Sequence, residues 1–193
     1  MLKLFSNQKE KNQVTANTNI KKFLPQNAPP QSIKGNVTDM SGSVSWQSRI
    51  ATESAKLTTL RQIQQGEKLE TGDDGNISVD FPNYANIKLL PESKIDFIQT
   101  LSANFVINQE KGSVAYTSLG RTHLSIRYLH LLTDMQSGQI SVNIDKNKPT
   151  VRVLIIKGQI TAAYNDSENV SQEKTFSQGQ QFTFDDKKRE LIF

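Results

Sequence analysis

LTTLRQIQQGEKLETGDDGNISVDFPNYANIKLLPESKIDF, residues Leu57–Phe97, alternates apolar and polar positions between glycine and proline turns. Ile77, Val79 and Phe81 fall on one side of a period-2 pattern, with Ser78 and Asp80 on the other. Ile87 and Leu89 repeat the pattern, as do Ile95 and Phe97. Successive side chains of a strand point to opposite faces, so this alternation predicts strands buried on one side. Gly72–Gly75 and Pro91–Ser93 supply turns between them. Upstream, Leu57, Leu60 and Ile63 have a partly helical spacing, but Thr58 and Thr59 sit among them. Ser54–Gln65 therefore reads as an extended segment entering a turn at Gln65-Gly66.

The same grammar runs outward in both directions. Val44 and Trp46 alternate after Gly42, and Phe105 with Ile107, then Val114 with Tyr116, make two more strands. Leu124, Ile126 and Tyr128 alternate against His123, Ser125 and Arg127; Ile140, Val142 and Ile144 follow. Val151–Ile156 is apolar enough to predict a central strand buried on both faces. Ile160, Ala162 and Tyr164, then Phe182 and Phe184, then Leu191–Phe193 complete the set, with turns at Asp145–Pro149, Asn165–Asn169 and Asp185–Lys188. About a dozen short strands spaced about 10 residues apart predict an all-β domain, either a stacked β-roll or β-solenoid, or a sandwich. Two internal echoes favour stacking: EKGSVAY (Glu110–Tyr116) with IKGQITAAY (Ile156–Tyr164), and IQQGEKLETGDD (Ile63–Asp74) with FSQGQQFTFDD (Phe176–Asp186).

Ahead of this body, residues 1–33 are rich in Asn, Gln and Lys and end in PQNAPPQS (Pro25–Ser32), so they read as a disordered basic arm before a domain at 34–193. Residues 1–34 carry six lysines and one glutamate, a charge of +5; the remainder carries 17 basic and 18 acidic residues, a charge of −1. The basic character belongs to the arm, and a near-neutral body argues against nucleic acid as a partner. There is no cysteine, which excludes disulfides, thiolate metal sites and a cysteine nucleophile. The longest apolar run, VLIIKG at Val153–Gly158, is far below the roughly 18 residues of a membrane helix. MLKLF at the start is followed at once by SNQKEKNQ, without the apolar core of a signal peptide. The expectation is a chain that neither spans a membrane nor carries a usual export signal.

The glycine motifs come in a recognisable order. Gly42-Ser-Val44 is followed by Gly66-Glu-Lys-Leu69-Glu-Thr71-Gly72-Asp73, then by Ile87–Ile95 with Pro91-Glu-Ser93. Gly112-Ser-Val114, VLIIKGQI at Val153–Ile160 and Phe176-Ser-Gln-Gly179-Gln180 come next. Over roughly residues 37–186 this series resembles the FecR-like domain family. Gln139, after Gly138, stands where that family has threonine, and the membrane helix usual ahead of the family's domain is not read here. The resemblance implies an extracytoplasmic sensor or regulator domain in the cell envelope or periplasm. Such a domain contacts a partner protein and relays that contact to a transcription regulator.

Candidate chemistry is sparse. His123 and His130 are the only histidines, seven apart across a strand end, and no carboxylates lie around them at ligand spacing. Asp73-Asp74-Gly75-Asn76 has the beginning of a calcium loop without its distal glutamate, and reads as a hairpin turn. No serine sits in a nucleophile elbow and no carboxylate pair has a recognisable frame, so no catalytic residue, metal or cofactor is nominated. Arg121, His123, Ser125 and Arg127 line one strand face, either a solvated surface or a site for an acidic peptide or sugar phosphate. Trp46, the sole tryptophan, is either packing or a glycan platform. The leading expectation is a non-enzymatic FecR-like domain that binds a partner protein through the Arg121–Arg127 face. A structural subunit of an envelope or surface assembly, docking and oligomerising through the arm, is the alternative. The arm at 1–34 also suits an anionic membrane surface.

Overall fold

The computed structural model describes residues 27–145 and 147–193. Regular structure among them is β throughout. In chain order the strands are β1 (Gly35–Ser41), β2 (Val44–Gln47), β3 (Ala55–Lys56), β4 (Gln62–Ile63), β5 (Lys68–Thr71), β6 (Asn76–Phe81) and β7 (Ala85–Leu89). Then follow β8 (Lys94–Leu101), β9 (Asn104–Tyr128), β10 (Leu131–Ile144), β11 (Thr150–Asn165), β12 (Ser171–Ser177), β13 (Gln181–Asp185) and β14 (Glu190–Ile192). They pair antiparallel into a single sheet of 14 strands. The all-β fold expected from the alternation is what forms, as one antiparallel sheet of many strands. No helix among the described residues is long and apolar enough to cross a membrane.

Strand length is where the structure departs from the simplest reading. Strands β9, β10 and β11 run for 25, 14 and 16 residues, against about 5–6 for an ordinary strand. Phe105–Ile107, Val114–Tyr116 and Leu124–Tyr128, expected as separate strands, are one ribbon bent at Gly112 (φ 80°) and Gly120 (φ 87°). The neighbouring ribbons bend alongside it at Gly138 (φ 149°) and Gly158 (φ 83°), which are paired with each other across β10 and β11. There the backbones approach so closely that a Cβ on Gly138 would lie 2.4 Å from the Lys157 carbonyl oxygen. One on Gly158 would lie 2.5 Å from the Ser137 carbonyl oxygen. Positive φ together with this contact leaves glycine as the residue that fits.

The bends divide the sheet into three facets. The first runs β3–β2–β5–β8 to residues 104–111 of β9. The second runs β4–β1–β6–β7, through the middle of β9 and the 137–144 stretch of β10, to the first half of β11, then β13 and β14. The third joins the end of β9, residues 131–135 of β10, residues 159–165 of β11, and β12. Their inner faces share one core, since apolar area removed from water drives the facets together. Phe81 of β6 meets Phe105 edge-on at 4.8 Å and Phe97 at 5.4 Å, joining the second facet to the first. Tyr164 packs on Phe184 at 5.1 Å and Phe176 stacks on Phe182 at 4.2 Å, joining the third to the second.

Polar groups buried at the first bend of β9 are paired. At the Gly112 bend the Gln109 amide donates to the Gly112 carbonyl (2.8 Å) and accepts from the Tyr116 hydroxyl (3.0 Å). Beside it Ser93 Oγ donates to the Ser113 carbonyl (2.8 Å) and accepts from the Ser113 N–H (2.9 Å). Burial pushes the pKa of the Tyr116 phenol up, with the nearby Tyr128 adding to it. Burial also raises that of Tyr128, against the pull of a hydrogen bond to Thr133. Both stay neutral hydrogen-bonding groups.

One expectation is corrected. Val151, Val153 and Ile155 are fully buried, but Arg152, Leu154 and Ile156 are exposed. The outer face of the roll has no covering layer, so β11 is wetted on one side as antiparallel sheets commonly are. The end of the arm is also tied in. Ser32 bridges to Leu101, the Ile33 N–H donates to the Thr100 carbonyl (2.6 Å), and the Thr100 hydroxyl donates to the Ile33 carbonyl (2.8 Å). Residues 1–26 of the disordered arm expected over 1–33 lie outside the described residues.

The outer face of the first facet carries a ladder of charges. Lys68 reaches Asp96 (3.2 Å) and Glu110 (3.6 Å), Lys94 reaches Glu110 (2.6 Å), and Lys111 reaches Glu70 (2.6 Å). Burial works against the Glu110 carboxylate, but hydrogen bonding and attraction from Lys94 and Lys68 outweigh it and lower its pKa. For Asp96 the balance tips the other way: burial raises its pKa despite Lys68.

Two outcomes follow from this architecture. Gly158→Ala should cost about 2–4 kcal/mol in urea unfolding, since it adds a backbone clash to an unfavourable φ. Gly179→Ala, at φ 83° with nothing within 4 Å of the added Cβ, should cost only about 1 kcal/mol; equal losses would contradict the close approach. Glu110→Gln should lower stability by about 0.5–1 kcal/mol at neutral pH, the pair being partly solvated. A lowered carboxylate pKa stabilises above the unfolded value and loses that effect as pH falls through the folded one, so the difference should close below about pH 4.

Candidate functional site

The third facet presents the strand nominated from sequence. Thr122, Leu124, Ile126 and Tyr128 of β9 point into the core, which places Arg121, His123, Ser125 and Arg127 together on the outer face. Tyr128 pairs with Leu131, so Leu129-His130 is a two-residue hairpin connection that fixes the register of β10. That register sets Asp134 opposite Ser125, and Leu132 opposite Arg127.

Asp134 organises the face, and sequence reasoning missed it. One of its carboxylate oxygens lies 2.6 Å from His123 Nδ1, and the other accepts from Ser125 Oγ at 2.7 Å. The middle of the face is thereby committed to internal hydrogen bonds. The guanidinium groups at its two ends make no ion pair among the described residues. Arg121 lies 5.8 Å from the centre of the Tyr84 ring, at the outer limit of a cation–π contact. The arrangement is two cations flanking a centre whose polar groups are hydrogen-bonded to one another, suited to holding separated carboxylates.

The other nominated residue sits elsewhere. Trp46 lies on β2 in the first facet, part-buried, with the Arg61 guanidinium carbon 3.5 Å above the centre of its ring. Its ring face is occupied by that cation, and its buried Nε1 has no acceptor among the described residues. The structure does not bring Trp46 to the β9 face.

The two histidines are likewise held apart. His130, at the hairpin tip, donates its backbone N–H to Asp186 Oδ1 (3.0 Å), and its Nδ1 lies 2.9 Å from the same oxygen. Among the described residues no group of three or more histidines and carboxylates gathers as a metal-binding cluster. A shallow groove of about 400 Å³ runs along the glycine bends, with Thr117, Leu119, Gln139 and Lys157 on its walls. A second cleft of about 340 Å³ opens beside the hairpin tip, where Arg127 and Arg189 meet. Arg189 follows the β13–β14 turn and carries no signal in a linear reading.

Comparison with known proteins bears on the fold. No family model matches the chain, and no curated protein sequence does. Among solved structures, two crystal structures of "a putative anti-sigma factor" from Parabacteroides distasonis are similar, each with a TM-score of 0.55 at 10% identity. The match covers 65% of this chain and 57% of theirs, so this chain spans little more than half the length of those proteins. At that identity the likeness is one of fold, an all-β roll shared with those structures.

Proposed function

We propose that this chain is a FecR-like regulatory domain of cell-envelope signalling, acting by binding a partner protein and not by catalysis. The observation that carries the reading is the outer face of the third facet. It is an uncovered stretch of sheet whose central polar groups are satisfied by Asp134, while the arginines at its ends make no ion pair among the described residues. A protein partner supplies carboxylates at that separation, and rim charges speed and orient such an encounter. The fold shared with structures described as an anti-sigma factor supports the same class of role. The ordered glycine motifs between Gly42 and Gln180 support the family.

Ser125 donates to Asp134, and His123 is 61% exposed in its side chain on the same carboxylate. In this reading the three residues hold the sheet surface in shape for docking.

The test is site-specific photocrosslinking in source cells, with the reactive residue placed at Ser125, followed by mass spectrometry of the captured protein. That protein, purified, should bind the Arg121→Ala/Arg127→Ala double variant at least tenfold more weakly than the native chain, from the loss of two charge-assisted contacts. An unchanged affinity would contradict the proposed contact face. A captured protein that proves to be a second copy of this chain would favour the assembly role instead.

A further inference from the structure

Resting on that reading, we infer that the cleft between the β9–β10 hairpin tip and the β13–β14 turn receives an acidic segment of the partner protein, carboxylates spaced around an aliphatic side chain. The hairpin folds back until His130 meets Asp186, 56 residues away in sequence. The clasp is doubled, through the His130 backbone N–H and its ring. The Asp186 side chain is mostly buried, and Asp186 donates its own N–H to the Pro149 carbonyl (2.8 Å). Both walls of the cleft are therefore fixed before any ligand arrives, which lowers the ordering cost of binding.

The charged part of the lining is cationic. Arg127 comes from the end of β9 and Arg189 from beside β14, and neither makes an ion pair among the described residues. No carboxylate lines the cleft, and the nearby Asp186 is engaged with His130. Planar guanidinium groups accept carboxylates in bidentate fashion, and two of them ask for two acidic groups or one acidic group held from both sides. Asn165 adds an amide that can bond a peptide backbone.

The apolar part of the lining is harder to explain without a ligand. Leu129 is 44% exposed and Leu132 is 38% exposed, on the same cleft as the arginines. Leu129 also sits at φ 50° and Arg189 at φ 57°. Two of the other non-glycine residues at positive φ, Asn83 and Asn169, are of the type that tolerates it. Leucine at an exposed hairpin tip, in a conformation suited to glycine or asparagine, serves neither turn formation nor solubility. Strained backbone conformations gather at ligand-contacting sites.

An aliphatic side chain flanked by acidic ones satisfies the two leucines and the two arginines together. A free phosphate leaves the leucines uncovered. An anionic membrane wants a broad cationic surface, whereas the face leading away from the cleft carries Asp134 and Glu173.

The experiment titrates the 15N-labelled full chain with acetyl-Glu-Leu-Asp-Glu-amide and follows backbone amide shifts. Saturable shifts are expected at Leu129, His130, Asn165 and Arg189, and none with acetyl-Gln-Leu-Asn-Gln-amide. Arg127→Gln/Arg189→Gln should weaken the peptide at least tenfold. Leu129→Asn, which suits the positive φ, should match or exceed native stability while weakening the peptide at least threefold. Absent or scattered peptide shifts would overturn the inference. So would the same shifts produced by sodium phosphate, or by phosphatidylglycerol vesicles, at concentrations where the peptide has no effect. If Arg189→Gln and Leu129→Asn leave the crosslinked partner's affinity intact while Arg121→Ala/Arg127→Ala lowers it, the cleft is excluded and the docking face stands. If neither set changes it, both fall.

Discussion

The close approach of two backbones at Gly138 and Gly158 is the constraint on which the rest of the molecule depends. A sheet of this many strands twists and splays unless something folds it. Here three long ribbons turn together, because glycines at neighbouring positions permit a bend that a Cβ would block. The bend brings the third facet back toward the second, so that Tyr164 and Phe176 reach Phe184 and Phe182. Core closure and bending are thus one event, and the hairpin tip reaches Asp186 only because both occur.

Backbone crowding marks both bends: a Cβ on Gly112 would lie 2.5 Å from the Glu92 carbonyl oxygen. At Gly112 the turn is held by a buried network through Gln109, Tyr116 and Ser93, in which every donor named has an acceptor. Such a network is strong when complete and costly when any member is lost. At the second bend the backbones of β10 and β11 meet at Gly138 and Gly158, Ser118 Oγ donates to the Gln136 carbonyl (2.6 Å), and the surroundings open into a solvated groove. The outer surfaces differ. The first facet cancels its own charges in the Lys68, Lys94 and Lys111 ladder, while Arg121 and Arg127 on the third make no ion pair among the described residues. A surface that satisfies itself has little to offer a partner, and the contrast picks out the third facet.

Much of the fold was legible. Period-2 alternation located the strands carrying Ile77, Ile87, Phe105 and Leu124, and clusters of Gly, Pro, Asn and Asp located the turns. The echoes proved to be physical: Gly112 and Gly158 both open bends at φ 80° and 83°, and Gly66 and Gly179 both sit in turns at φ 85° and 83°. Glycine's permissiveness also hid the continuity of β9, because a linear reading cannot tell a bend within a strand from a turn between two. Val151–Ile156 misled for a related reason: hydrophobicity reports apolar character, and covering the outer face needs a layer that this fold lacks. Arg121, His123, Ser125 and Arg127 were found together because one strand carries them. Asp134 was not, because its place follows from a two-residue hairpin register. Arg189 was invisible because its neighbours are set by how the facets fold.

Native-state hydrogen exchange tests the central claim most directly, by comparing amides on either side of the second bend. If the glycine bend and the core form as one unit, the core amides of Tyr116 and Val142 should exchange with the same opening free energy as those of Ile126 and Ala162. Opening of the third facet at a free energy several kcal/mol lower, with the rest still protected, would contradict it, because the facet would then be an appendage whose closure the roll does not require.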